Sequence, residues 1–289
     1  MNYSRKDFLK LSSGLAGALA LSPLLDSIDA DNKAKRIKNF GLQLWTVRED
    51  LAKNARSVIY LLSKFGYKYV ESFDNGPKGI YWGMSNIDFK KCLDDVGMTI
   101  NSTHIVVDKE FEKKVAEAAE IGMKYVIFQW EGPGKTLDDY KRYAEDFNIK
   151  GEYCKKNGIR FGYHNHFFSF RTIDGQLPQD ILMKGTDPAL VDFQMDIFYV
   201  VGSGHDPEEW LRKYKGRFRL CHIKDRSKDS VGDGKSCVLG EGSIDFPKIL
   251  KTAKQNGMEY YIAEQEDYDS RSAVETAQAD AGYMKNLRF

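Results

Sequence analysis

The chain has no excess of charge of either sign: 43 lysines and arginines face 42 aspartates and glutamates, a formal net charge of +1 over 289 residues. With no basic block beyond Lys33-Ala34-Lys35-Arg36-Ile37-Lys38, nucleic acid is disfavoured as the main partner. Cysteine is scarce. Cys92, Cys154, Cys221 and Cys237 show no Cys-x-x-Cys spacing and fall in four different expected elements, so they read as free thiols rather than a disulfide framework. The apolar run from Leu11 to Leu25 is interrupted by Ser12, Ser13, Gly14 and Pro23. At roughly 15 residues it is too short for a membrane span. Histidine is scarce too, five in all, and its placement proves informative.

What is present is enough apolar material for a large core: 42% hydrophobic and 13% aromatic residues, which excludes disorder. The opening Ser4-Arg5-Lys6-Asp7-Phe8-Leu9-Lys10, the apolar run and the small residue Ala30 have the three regions of an export signal. It is similar to a twin-arginine signal with Lys6 in the second arginine's place. The expectation is therefore a signal over 1–30, a periplasmic or otherwise exported protein, and one domain over 31–289.

A recurring joint organises that domain: a helix-period stretch, a glycine, then a short β-rich run. It appears at Gly66, Gly97, Gly122, Gly158 and Gly257. Each suits a helix end in the left-handed conformation, turning the chain directly into a strand. Strands are expected at Phe40–Trp45, Tyr67–Phe73, Thr99–Val106, Tyr125–Trp130, Arg160–His166, Leu190–Asp196, Phe218–Lys224 and Tyr260–Glu266. Helical patterns lie between them, among them Ala55–Phe65, Phe111–Ile121, Leu137–Lys156, Pro207–Tyr214, Phe246–Gln255 and Arg271–Leu287. Eight βα units close into an α/β (β/α)8 TIM barrel. A doubly wound open sheet fares worse, because the first unit lacks a Gly-x-Gly-x-x-Gly turn and no composition break marks a second domain.

Strand side chains alternate between the lumen and the helix layer. In the sixth strand Val191, Phe193 and Met195 take the helix side, leaving Asp192, Gln194 and Asp196 inward. The same rule turns Gly162, His164 and His166 inward, pairs His222 with Lys224, and lines up Ile262, Glu264 and Glu266. His164, Asp196, His222 and Glu264 thus meet at one rim, where a divalent cation is the economical way to gather two carboxylates. Gln43, Trp45, Glu71, His104 and Gln129 extend the rim as a substrate wall, and Trp45, Trp82 and Trp130 could stack on a sugar ring. His205 reads as a loop or capping residue, and Glu266 and Asp267 as solvated.

These residues resemble the xylose isomerase-like TIM-barrel family, the sugar phosphate isomerase/epimerase group that also includes AP endonuclease family 2. The resemblance rests on Gly41-Leu42-Gln43-Leu44-Trp45, Tyr163-His164-Asn165-His166-Phe167-Phe168, Asp187-Pro188-Ala189-Leu190-Val191 through Asp196, and Gly216-Arg217-Phe218 through His222-Ile223-Lys224-Asp225. Gly240-Glu241-Gly242-Ser243-Ile244-Asp245-Phe246 and Ala263-Glu264-Gln265-Glu266 complete it. It implies one Mn2+, Mg2+, Co2+ or Zn2+ ion held by Asp196, His222 and Glu264, with His164 where many relatives have glutamate. That departure removes one of the two carboxylate bases of an epimerase.

The function expected is an exported, divalent-metal-dependent sugar isomerase or epimerase acting on a keto-sugar or related polyol through a metal-stabilised enediolate. Glu264 is the candidate base, with His166, Lys224 or His104 as proton donors. The alternative is a lyase that eliminates water or an aglycone from a keto-sugar. Phosphodiester hydrolysis and non-catalytic sugar binding rank lower.

Overall fold

A computed structural model describes residues 36–129, 132–232 and 234–289. The signal expected over 1–30 and Trp130 lie outside them. Arg36–Phe289 form one compact unit. Eight parallel strands close a barrel: β1 (Gly41–Gln43), β2 (Tyr69–Phe73), β3 (Thr99–Ile105), β4 (Tyr125–Phe128), β5 (Arg160–His164), β6 (Val191–Asp196), β7 (Phe218–Ile223) and, after a short hairpin, β10 (Tyr260–Ala263). The hairpin pairs β8 (Asp225–Arg226) with β9 (Ser236–Cys237) antiparallel. The TIM barrel expected from the glycine joints is therefore present, and all five joint glycines have positive φ. Gly66, at φ 101°, shows why: it ends the helix Arg48–Phe65 in a conformation that side-chain-bearing residues rarely adopt.

Helix Arg48–Phe65 begins earlier than the expected Ala55, but its backbone breaks at Asn54, whose φ is −157°. The Asn54 Oδ1 accepts the Ser57 N–H at 3.1 Å, so the expected helix start survives as an internal cap. Three further helices, not named from the sequence pattern, are Asn86–Asp94, Pro178–Gly185 and Ile197–Gly202. Several strands stop short of their expected ends, so His166, Glu264 and Glu266 follow strands rather than belong to them. Glu264 stays attached, its N–H donating to the Ile223 carbonyl at 3.1 Å.

The alternation places the polar residues. Phe161, Tyr163, Val191, Phe193, Met195, Cys221 and Ile223 join the core between barrel and helices. A separate apolar cluster of Tyr69, Tyr125, Ile127, Leu220 and Ile262 fills the lower lumen. Gly41 makes room for it, since a methyl group there would lie 2.3 Å from the Tyr69 ring. At the N-terminal ends of the strands inward-facing Asp192 is paired with Arg160 at 2.7 Å, and the remaining inward polar side chains gather where the strands' C-termini open.

Candidate metal centre and cavity

The site is built from the floor upward. Glu71 of β2 is fully buried. Its Oε1 accepts from Gln43 Nε2 at 2.9 Å and lies 2.5 Å from His222 Nε2, while its Oε2 accepts from Ser102 Oγ at 2.5 Å and from Gln194 Nε2 at 2.8 Å. Burial alone would raise this carboxyl, but the His104 and His222 imidazoles outweigh it and hold Glu71 well below the ordinary range. Expected on the substrate wall, Glu71 instead lies beneath the cavity with its oxygens already engaged.

Above it sits the cup. Asp196, His222 and Glu264 each offer a ligand atom, and these lie within 4.8 Å of one another. His222 Nδ1 is 3.2 Å from Glu264 Oε2 and 4.0 Å from Asp196 Oδ2, and His164 Nε2 is 3.8 Å from the same Asp196 oxygen. Donors bonded to one ion at about 2.0–2.2 Å lie roughly 3–4 Å apart, so this spacing fits a shared cation. Asp196 Oδ2 is buried and accepts no hydrogen bond among the described residues, which is costly unless a cation meets it. The residues therefore fit a divalent metal. His104 lines the cavity and forms a second group of potential ligands with His164 and His222, but its Nδ1 lies 2.7 Å from Gln129 Oε1 and its Nε2 2.7 Å from Gln194 Oε1 and 3.1 Å from Glu71 Oε1, so both nitrogens are already engaged.

The cup is strongly polarised. Burial raises Asp196 to about 6, with Lys224 pulling it back. Burial disfavours the His222 imidazolium too, yet Glu264 and Glu71 outweigh it and push this histidine up to about 10. His164 falls well below its usual value through burial and the neighbouring histidines, and burial with Lys224 lowers His166 to about 3. Lys224 is fully buried, with Nζ 2.6 Å from Glu266 Oε1, 3.4 Å from Glu264 Oε2 and 3.8 Å from Asp196 Oδ2. Burial opposes its charge, but the three carboxylates hold it well above the usual lysine range.

A cavity of about 230 Å³ opens over the cup. Glu264, Glu266, His166 and Tyr199 line one part of it, and Gln43, Trp45 and Phe73 another. Trp45 is the exposed member, braced by Arg48 at 4.4 Å and edge-on against Phe73. Trp82 supports Phe73 from behind, buried and edge-on, and does not reach the cavity. Glu266, expected in solvent, is the closest partner of Lys224, and Asp267 Oδ2 accepts from the Ser236 backbone and hydroxyl. His205 donates to the Phe170 carbonyl side at 3.1 Å, and the cap of the next helix is Asp206 instead.

Tyr199 was absent from the sequence-derived site, and Gln194, read as pointing inward beneath Asp196, was given no role in it. Asp196 is the N-cap of Ile197–Gly202, accepting the Tyr199 N–H, so an aspartate before Ile-Phe-Tyr-Val-Val was the available signal for Tyr199.

A closed parallel barrel with a carboxylate–imidazole cup at the C-terminal ends of its strands defines a class of barrel enzymes. The chain belongs to the xylose isomerase-like TIM barrel family, whose model matches residues 59–287. It is similar to a sugar phosphate isomerase/epimerase from Parabacteroides distasonis, at 31% identity and TM-score 0.74, covering 87% of this chain and 95% of that one. It is also similar to the inosose dehydratase of Clostridium tetani, 29% identical over 184 residues, 57% of this chain. That match spans 61% of the relative's length. The zinc-bearing IolI protein shares the fold, with TM-score 0.70 at 16% identity over 86% of this chain and 97% of that one.

Proposed function

We propose that this protein is a divalent-metal-dependent enzyme that removes water from an unphosphorylated keto-sugar or cyclic keto-polyol. The carrying observation is the asymmetry of the groups around the cup: Glu264, a carboxylate held ionised, faces the cavity beside a protonated pair, Lys224 and Tyr199, whose Nζ and hydroxyl lie 3.4 Å apart. The names of curated relatives point the same way.

His164, Asp196, His222 and Glu264 would hold the cation. When bound, a divalent ion supplies Lewis-acid polarisation of a carbonyl oxygen. Glu264, kept ionised by His222 and Lys224 against its burial, takes the proton from the carbon next to the carbonyl. Its electron pair forms the new carbon–carbon double bond as the neighbouring C–OH bond breaks, and that hydroxyl leaves as water with a proton from Lys224 or Tyr199. His166, whose pKa is lowered to about 3, stays neutral and orients hydroxyls by hydrogen bonding. Trp45 and Phe73 offer apolar faces to the ring's C–H groups.

The substrate class follows from charge. No arginine or lysine is among the described residues lining the cavity, and the adjacent Lys224 is already committed to carboxylates, so a phosphate has no partner. Isomerisation or epimerisation is the second reading, favoured by the P. distasonis likeness. It needs a proton returned to carbon, and His164 replaces the second carboxylate base. Export through the segment 1–30 belongs to the proposal.

The test is incubation of the Mn2+-loaded protein with oxidised cyclic polyols and keto-sugars in deuterated water, read by mass spectrometry. Loss of one water supports dehydration. Deuterium at carbon without that loss overturns it in favour of isomerisation, and neither change with any substrate tested overturns both.

A further inference from the structure

β2 stands diametrically across the barrel from β6, four strands away in either direction. Glu71 nonetheless reaches the hydrogen-bond network under the cup, and the orientation of each partner can be fixed in turn. The Trp45 backbone N–H, a donor only, points at Gln43 Oε1 at 3.2 Å. Gln43 must therefore present Nε2 to Glu71. Gln194 places its Nε2 3.1 and 2.8 Å from the two Glu71 oxygens, and the reverse orientation would press a carbonyl oxygen against a carboxylate.

The amide oxygen of Gln194 then faces His164 Nδ1 at 2.9 Å. An oxygen there can only accept, so His164 carries its proton on Nδ1 and keeps a lone pair on Nε2, the nitrogen facing Asp196. His222 Nε2 meets Glu71 Oε1 directly at 2.5 Å and must donate, which leaves Nδ1 for Asp196 and Glu264. A neutral imidazole has one donor and one acceptor, and the partner of one nitrogen decides what the other can bind.

We propose that Glu71 is a positioning residue for the metal, setting the tautomers of both histidine ligands, His222 directly and His164 through Gln194. The inference rests on the metal reading above and adds to it: one carboxylate outside the cup turns two lone pairs into it.

The test compares Zn2+ affinity, measured by chelator competition at fixed pH, in the wild type, Glu71→Gln, Gln194→Met and Ser102→Ala. Melting temperature reports folding. Nitrogen-15 spectra of the Zn2+-loaded wild type report which histidine nitrogens carry protons. Expected are a loss of roughly 10- to 100-fold in affinity for Glu71→Gln and a smaller loss for Gln194→Met. Ser102→Ala, which removes a Glu71 partner without touching either histidine, should stay near wild type. His222 should read as Nε2–H and His164 as Nδ1–H.

Folded Glu71→Gln binding Zn2+ as tightly as the wild type overturns this inference alone. So do spectra with the opposite tautomers, which need no variant to fold. A wild type that holds no Zn2+ instead overturns the metal reading beneath it.

Discussion

Lys224 Nζ lies 2.6 Å from Glu266 Oε1, and this pair joins the buried floor of the site to its mouth: the lysine is sealed from solvent while the glutamate side chain is 38% exposed. The ammonium also faces Glu264 and Asp196, so without a metal it and His222 are the counterions of the cup. Lys224→Met should therefore cost about 3–5 kcal/mol in the chelator-treated protein, since it strands buried carboxylates. Added Mn2+ should recover part of the loss. Denaturant titrations with and without the ion check this, and equal losses in both would refute the compensation.

Metal affinity should depend on pH because the ion competes with protons. His222, at about 10, carries a proton throughout the neutral range that the metal must displace. Affinity should rise about tenfold per pH unit across pH 6–8 and fall more steeply below Asp196's value of about 6. Calorimetry in buffers of different protonation enthalpy counts the released proton. A flat affinity over that range contradicts the assignment.

Tyr199 lines the cavity but is no ligand. Tyr199→Phe should lower kcat by roughly 10²-fold while leaving Zn2+ affinity within about threefold of wild type. An unchanged kcat would remove the hydroxyl from the proton-transfer scheme.

Far from the cup, burial raises Asp280 to about 7; its Oδ1 accepts the Leu239 N–H at 2.9 Å, and its Oδ2 is unpartnered among the described residues. A carboxyl whose folded pKa is raised carries no penalty below its unfolded value near 4. The penalty grows as pH climbs from there to about 7 and is constant above. Ionisation should then cost at most roughly 4 kcal/mol. Asp280→Asn should gain on the wild type by that amount between pH 4 and 8, measured by unfolding at each pH. A parallel pair of profiles would refute the shift.

Sequence revealed the barrel because it is written locally: period-two alternation within the strands and a glycine at five of the joints. The inward placement of His164, Asp196 and His222 was legible for the same reason, each lying at or one residue before the end of a run whose faces can be counted. Alternation lined Glu266 up with Glu264, and both border the cavity, but its pairing with Lys224 was not legible, because it lies past the end of β10 and its side chain is still 38% exposed. The helix carrying Tyr199 is too short for periodicity, and only Asp196's capping role announces it. The Glu71–Gln194 contact crosses the lumen between opposite strands, so no pattern in either strand encodes it. Charge balance was equally opaque: composition shows near neutrality but not that one ammonium sits among three carboxylates.

The residue after Lys224 gives the rim its tether. Asp225 is buried, and its carboxylate accepts N–H groups from Gly240, Gly242 and Ile244, while a methyl group on Gly242 would lie 2.2 Å from that carboxylate. Both ends of the excursion that follows β7 are thus pinned to one anchor, next to Lys224 in the chain. A change of sequence between Arg226 and Ser236 therefore leaves the anchor beside Lys224 in place.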